Sequence, residues 1–373
     1  FLSGELKVIC CTPTLAMGVS FPARAAIVRN YRFYDGGFSR PMPVFMLKQI
    51  FGRAGRPEYD EYGIGVIVAR DEEEREEVEE VYIHGELEHI QSQFTQEVLE
   101  EQILATIVGG ANSMRSINGF MQRTFYHHQG FSTDIDAMLH WLEQHGFIKC
   151  DGRIKPTDFG VLTARLYISP RTAIYLRNCL EFLEERRRWN TYDLTMLIAG
   201  CKEVPSISVR GDALTISMQL TDNLELVDSC MYKLESAVVL YAWIEEMSYR
   251  EMNERYGVYP GEVYSVSSSA EWVAYASSRI AEHMGSTLSK EFEILERRIQ
   301  YGVRKELLGI VSVRGIGRVL ARKLYDRGYR TLGDLLRADE SELSKIDGIG
   351  KKRAKVIKDE IKGEAYQQLR KRR

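Results

Sequence analysis

Gln49-Ile50-Phe51-Gly52-Arg53-Ala54-Gly55-Arg56 is the stretch on which the reading of this 373-residue chain turns. It closes a helix-like segment running from Val44 to Gly55. Arg53 and Arg56 stand three apart, a spacing that puts two side chains on one helical face. Small Gly52, Ala54 and Gly55 let that face approach another surface closely. Arginine is suited to bidentate phosphate contact and to steadying charge on a transferring phosphoryl group. Two arginines on a helix are common, but the whole octapeptide is far more specific.

Upstream lies Thr12-Pro13-Thr14-Leu15-Ala16-Met17-Gly18-Val19-Ser20-Phe21-Pro22-Ala23-Arg24, directly after the apolar run Lys7–Cys11. Hydroxyls and glycine at the carboxyl end of a strand suit phosphate or ribose contacts, with an ordinary Pro/Gly loop as the lesser alternative. The runs 7–11, 25–28 and 65–69 read as short strands, with the helix-like 44–55 among them. Such alternation predicts part of a parallel sheet covered on both faces. Between the two motifs, residues 30–40 read as a hairpin turning at Gly36-Gly37. Its aromatics Tyr31, Phe33 and Tyr34 either pack inward or stack on bases.

Farther along, residues 71–80 hold eight acidic side chains and read as an exposed helix or linker. Helical patterns cover 95–108 and 113–120, and a third starts at the cap Ser132-Thr133-Asp134 and buries Ile135, Met138, Leu139 and Leu142. Gly146 stops it, and residues 147–156 read as two short strands joined by Asp151-Gly152. Helices followed by a small hairpin predict a winged helix. Residues 171–300 are helical almost throughout and predict a bundle. Within it, Trp272 lies on a long helix with Tyr275 and Arg279 at +3 and +7, on one face. A lone tryptophan there reads as core or as a stacking platform. At the C-terminal end, Val313-Arg314-Gly315-Ile316-Gly317 and Ile346-Asp347-Gly348-Ile349-Gly350 repeat at an interval of 33 residues, each before a basic helix. Glycines there free backbone N–H groups to hold a phosphate, and Arg318, Lys351, Lys352 and Arg353 add charge. A pair of protein-docking hairpins is the alternative.

Composition bounds the rest. Hydrophobic residues make up 44% and charged residues 28%, as in ordinary folded proteins. No apolar run approaches the roughly 20 residues that span a bilayer, so no membrane association is expected. Six cysteines without a C-x-x-C pair read as reduced thiols. His127-His128 lacks partners at metal-ligand spacing, and no metal site is expected. The net charge of −3 conceals an asymmetry: residues 311–373 carry a net +9 and the rest −12. A basic tail on an acidic body suggests a polyanion-binding module.

The 12–24 and 49–56 segments resemble motifs V and VI of superfamily 2 helicases. With their spacing and all that follows, the chain is similar to the archaeal Hjm helicases of the Ski-type branch, from within the second RecA-like domain onward. The resemblance implies a multidomain α/β plus mostly α architecture. Its parts would be a partial RecA-like parallel sheet (1–80), a winged helix (81–170), a helical ratchet bundle (171–300) and a helix-hairpin-helix tail (301–373). It implies ATP-driven 3′→5′ translocation and unwinding of branched or forked DNA in repair and fork restart, with ATP and Mg²⁺ held mainly by a first RecA-like domain. Arg53 and Arg56 would reach the γ-phosphate, Gln49 would couple nucleotide to DNA, and Gly18, Ser20 and Gly52 would lie near the nucleotide. Thr12 and Thr14 would touch the DNA backbone, Tyr31, Phe33 and Tyr34 the strand-separating hairpin's substrate, and Trp272 and Arg279 single-stranded bases. Gly315, Gly317, Arg318, Gly348, Gly350, Lys351 and Lys352 would grip phosphates. The family usually has Asn at Ser20, and often Arg where this chain has Tyr264-Ser265. Implied partners are single-stranded and forked DNA and replication or recombination proteins, for a monomer in the archaeal cytosol or nucleoid.

The chain opens without an initiator Met and contains neither a G-x-x-x-x-G-K-[S/T] loop nor an Asp-Glu-x-His motif after a strand. It is therefore expected to be a piece of a longer enzyme, inactive alone. The competing readings are a non-catalytic, structure-selective DNA-binding module and an RNA helicase of the same branch.

Overall fold

Strand β1 (Ala25–Val28), the hairpin β2 (Arg32–Asp35) and β3 (Phe38–Pro41), helix α1 (Val44–Phe51) and strand β4 (Ile64–Ile67) form the first of two compact units, Phe1–Ser92. The computed structural model describes residues 1, 3–16, 23–35, 38–56 and 60–371. β1 and β4 pair in parallel, Ala25 opposite Ile64 and Val28 opposite Ile67. The expected cover on both faces is not found among the described residues: Ile27, Ile64, Val66 and Val68 are exposed. Lys7–Cys11 is not a strand either but an exposed, unpaired stretch. A strand exists only by bonding to a neighbour, and apolar sequence alone supplies none.

α1 begins after Pro43, and the Glu88 carboxylate accepts from the N–H groups of Val44 and Phe45, satisfying two orphan donors of the first turn. The acidic run becomes α2 (Glu72–Val78), capped by Asp71 and continued by one π turn to Ile83. It is not wholly solvated. Glu74 is buried, bonded to the Arg70 guanidinium and accepting from the Tyr31 hydroxyl at 3.0 Å. The Arg70 hydrogen bonds hold the Glu74 carboxyl down at about 2. Tyr31 is buried with Tyr82, their rings edge-on at 5.3 Å, and burial pushes its hydroxyl up to about 12.

The second unit, Gln93–Arg373, is mostly helical. Helices α3 (Gln96–Val108), α4 (Met114–Met121), α5 (Phe125–His128) and α6 (Ile135–Gln144) lead to strands β5 (Ile148–Asp151) and β6 (Arg153–Pro156) and to α7 (Asp158–Leu166). Thr95, Ser113, Thr124, Asp134 and Thr157 cap the five helices through their side-chain oxygens. Ile135, Met138, Leu139 and Leu142 are buried as the period requires, and Gly152 turns the hairpin with φ 70°. The bundle follows: α8 (Pro170–Arg186), α9 (Thr191–Ala199), α10 (Ala213–Leu220), α11 (Leu224–Ser229), α12 (Leu234–Ile244), α13 (Tyr249–Tyr256), α14 (Pro260–His283) and α15 (Ser289–Tyr301). One hydrophobic core runs without a break from Leu99 to Ile299. A separate core, Val303 to Ile361, is built by α16 (Arg318–Asp326), α17 (Leu332–Arg337), α18 (Glu340–Leu343) and α19 (Lys351–Lys371).

The two cores meet at Trp243. Its indole N–H donates to the Ile299 carbonyl at 2.7 Å, and Gly302 lies against its ring with φ 63°. A Cβ on Gly302 would fall 2.4 Å from the indole carbons. Left-handed backbone and lack of space both demand glycine there. Gly302→Ala is expected to destabilise the second unit by about 1–3 kcal/mol, read as a lowered midpoint in chemical denaturation. An unchanged midpoint would mean that Trp243 yields freely.

Candidate nucleic-acid interface

The two arginines of the octapeptide do not share a helix. α1 stops at Phe51, and Gly52, Arg53 and Ala54 turn away from it. Gly55, at φ 93°, makes this turn possible. The loop is stitched to the start of β1: Ala23 N–H donates to Arg53 at 3.0 Å, and Gly55 N–H donates to Ala23 at 2.7 Å. Gly63 closes the approach, since a Cβ there would lie 2.3 Å from the Ala54 backbone. Gln49 is exposed, and Arg53 and Arg56 are half-buried. Arg56 lays its guanidinium on Asp60 in fork geometry, Nε to Oδ2 at 2.7 Å and Nη2 to Oδ1 at 3.0 Å, and its own N–H also donates to Oδ2 at 3.0 Å. Arg56 thus holds the carboxylate of Asp60, four residues on, through two parallel hydrogen bonds.

Thr12 and Thr14 are exposed, with their hydroxyls 2.7 Å apart. Gly18, Ser20, and the side chains of Phe33 and Tyr34 lie outside the described residues. Tyr31 departs from the stacking expectation, being buried against Tyr82 and Glu74. Period-two alternation marks a face but not which face is inward.

In the second unit, the outward strip of α14 carries Tyr264, Ser268, Trp272, Tyr275 and Arg279, at steps of four, four, three and four. Tyr264 is 72% exposed, Trp272 38% and Tyr275 46%. Trp272 is therefore neither core nor free: it is partly exposed while its indole N–H donates to the Leu166 carbonyl at 2.9 Å. Arg279 pairs with Glu282 one turn on. The sequence reading missed Tyr167, which follows Leu166 at the end of α7 and is 77% exposed. Nothing in its local pattern distinguishes it; only the fold sets it beside Trp272.

In the tail, Gly315 and Gly348 adopt φ 91° and 89°, and Gly317 and Gly350 precede α16 and α19. Lys351 and Lys352 are exposed. Arg318 is placed otherwise. Its guanidinium lies 4.1 Å over the Trp243 ring, one nitrogen donates to the Met247 carbonyl, and Nη1 has no hydrogen-bond partner. Burial pulls its pKa down. Beside it, Arg322 grips Glu246 at 2.7 and 2.8 Å. The first hairpin's basic helix is thus turned towards the bundle, and the second's is turned outward. His127 and His128 are both exposed, and no group of three metal-ligating side chains occurs among the described residues.

Two family models match: archaeal helicase, domain 4, over residues 194–302, and a SAM-like helix-hairpin-helix tandem over 305–363. Proteins named ATP-dependent DNA helicase Hel308 are similar along nearly the whole chain. That of Thermoplasma volcanium is 33% identical across 96% of this chain and 54% of its own length. That of Pyrococcus horikoshii is 34% identical across 96% and 52%, and that of Pyrococcus abyssi 33% across 94% and 52%. The chain matches archaeal superfamily 2 DNA helicases. It matches their C-terminal part and spans about half the length of these relatives, which carry the name Hel308 rather than Hjm. Among the described residues, no helix is long and apolar enough to cross a membrane.

The Arg56 fork has a pH signature. Hydrogen bonds from Arg56 hold the Asp60 carboxyl down at about 2, against an ordinary value of 3.8. With the folded value the lower one, the pair's stabilisation is complete above about pH 4 and is lost as pH falls through about 2. In a carboxyl-carbon NMR titration of the chain, Arg56→Ala should return Asp60 towards the ordinary value. An unmoved titration would show that another group holds the carboxylate.

Proposed function

We propose that the chain is the C-terminal part of an ATP-dependent DNA helicase that moves 3′→5′ on single-stranded DNA and unwinds forked DNA in repair and fork restart. The observation that supports this is the Arg56 guanidinium, which makes fork-like hydrogen bonds to the Asp60 carboxylate in a loop braced by Ala23 and Gly63. Arg53 and Arg56 act on the γ-phosphate of ATP. The nucleotide and its Mg²⁺ are held mainly by residues outside this chain, so the chain alone turns over no ATP. Gln49, exposed at the end of α1, links nucleotide to DNA, with Gly18, Ser20 and Gly52 near the nucleotide and Thr12 and Thr14 on the DNA backbone.

Residues 1–80 serve as the end of the second RecA-like domain, 81–170 as a winged helix, 171–300 as the ratchet bundle and 301–373 as the helix-hairpin-helix tail. The exposed strip of α14, with Trp272 and Arg279, meets single-stranded bases. Phe33 and Tyr34 serve strand separation. The exposed second hairpin, Gly348 and Gly350 with Lys351 and Lys352, takes the phosphates, a contact that weakens with salt. The first hairpin contributes the backbone at Gly315 and Gly317 and not the Arg318 side chain, which is engaged with Trp243.

The test is DNA-stimulated ATP hydrolysis by the full-length enzyme. Arg53→Ala and Arg56→Ala should each lower turnover by about 10³-fold or more, the scale of an arginine finger. Undiminished turnover in both removes the assignment. Unwinding of matched DNA and RNA forks by the same preparation distinguishes the RNA reading, which equal rates on both would favour.

A further inference from the structure

Three non-glycine residues among those described adopt left-handed backbone: Tyr167, Arg187 and Glu246. Two have evident reasons. Glu246 receives Arg322 and the Arg304 N–H. Arg187 is a cation at the end of α8, where helix carbonyls favour positive charge. Tyr167 has neither reason. It terminates α7 at φ 57°, a position that glycine fills best, and leaves a large aromatic ring 77% exposed. No hydrogen bond to its hydroxyl occurs among the described residues. Strain and exposure without a structural return point to a ligand.

Its position identifies that ligand. The carbonyl joined to its nitrogen is the one that accepts the Trp272 indole N–H at 2.9 Å. Peptide geometry then sets the Tyr167 Cα within about 6 Å of that indole nitrogen. Trp272, Tyr264 and Tyr275 are exposed on the α14 strip, and Arg165 is exposed two residues before Tyr167. We infer that Tyr167 is a base-stacking residue, the α7 contribution to an aromatic track for single-stranded DNA whose other members lie on α14. Every base has a π-face, so such a track tolerates any sequence, and the nearby guanidinium serves the backbone. This inference rests on the DNA-binding reading of α14 given above.

Fluorescence anisotropy of a labelled thymidine oligonucleotide, titrated with the 373-residue chain, tests it. Tyr167→Gly and Tyr167→Asn both suit left-handed backbone, so both should fold, with the melting temperature unchanged or raised. Each should weaken binding by about tenfold, the scale of one lost stack, and by the same factor at low and moderate salt. Tyr167→Phe should bind like the parent, because it keeps the ring. Parent-like binding by both Tyr167→Gly and Tyr167→Asn, while Trp272→Ala binds more weakly, overturns the inference and leaves the α14 reading standing. Parent-like binding by Trp272→Ala as well overturns both.

Discussion

Helix α14 packs through small side chains. Ala270, Ala274, Ala276, Ser277, Ser278 and Ala281 are all buried, so neighbouring backbones approach closely, and the helix has little freedom to roll. At 24 residues it spans about 36 Å. The narrow strip left outside is consequently fixed in direction. Trp272 is fixed further, since its indole N–H is held by Leu166 from α7. A surface ordered before a ligand arrives loses less side-chain freedom on binding.

The tail shows how a charge count differs from an available charge. Residues 311–373 carry a net +9. Yet Arg318 lies on Trp243, Arg322 on Glu246 and Glu306, and Lys323 on Asp347, while Lys358 donates to three carbonyls at the end of α17. Much of the basic character of α16 joins the tail to the bundle. The sequence repeat is symmetric; the environment of its two copies is not.

Local signals were the readable ones. The cap at Asp134 with its 3.6-residue period gave α6, Asp151-Gly152 gave the hairpin, and the paired Gly-x-Gly units gave the tail. Each depends on residues within one turn or one hairpin. What could not be read depends on distant partners. Lys7–Cys11 has strand composition but no strand beside it. Tyr31 alternates like an exposed hairpin residue, but Glu74, 43 positions on, draws it inward. Arg53 and Arg56 have helical spacing, but the pairing of Ala23 with residues 53 and 55 ends the helix first. Tyr167 gains meaning only from a hydrogen bond spanning 106 positions.

Asp60 gives the Arg56 fork a resident anion. A phosphate reaching Arg56 would therefore meet an occupied guanidinium and, being tetrahedral where the carboxylate is planar, would have to displace it through two of its own oxygens. That displacement sets a threshold: an anion held by one oxygen, or one carrying a single charge, competes poorly with a carboxylate tethered four residues away. Asp60 is in this sense a built-in rival for any anion that approaches Arg56.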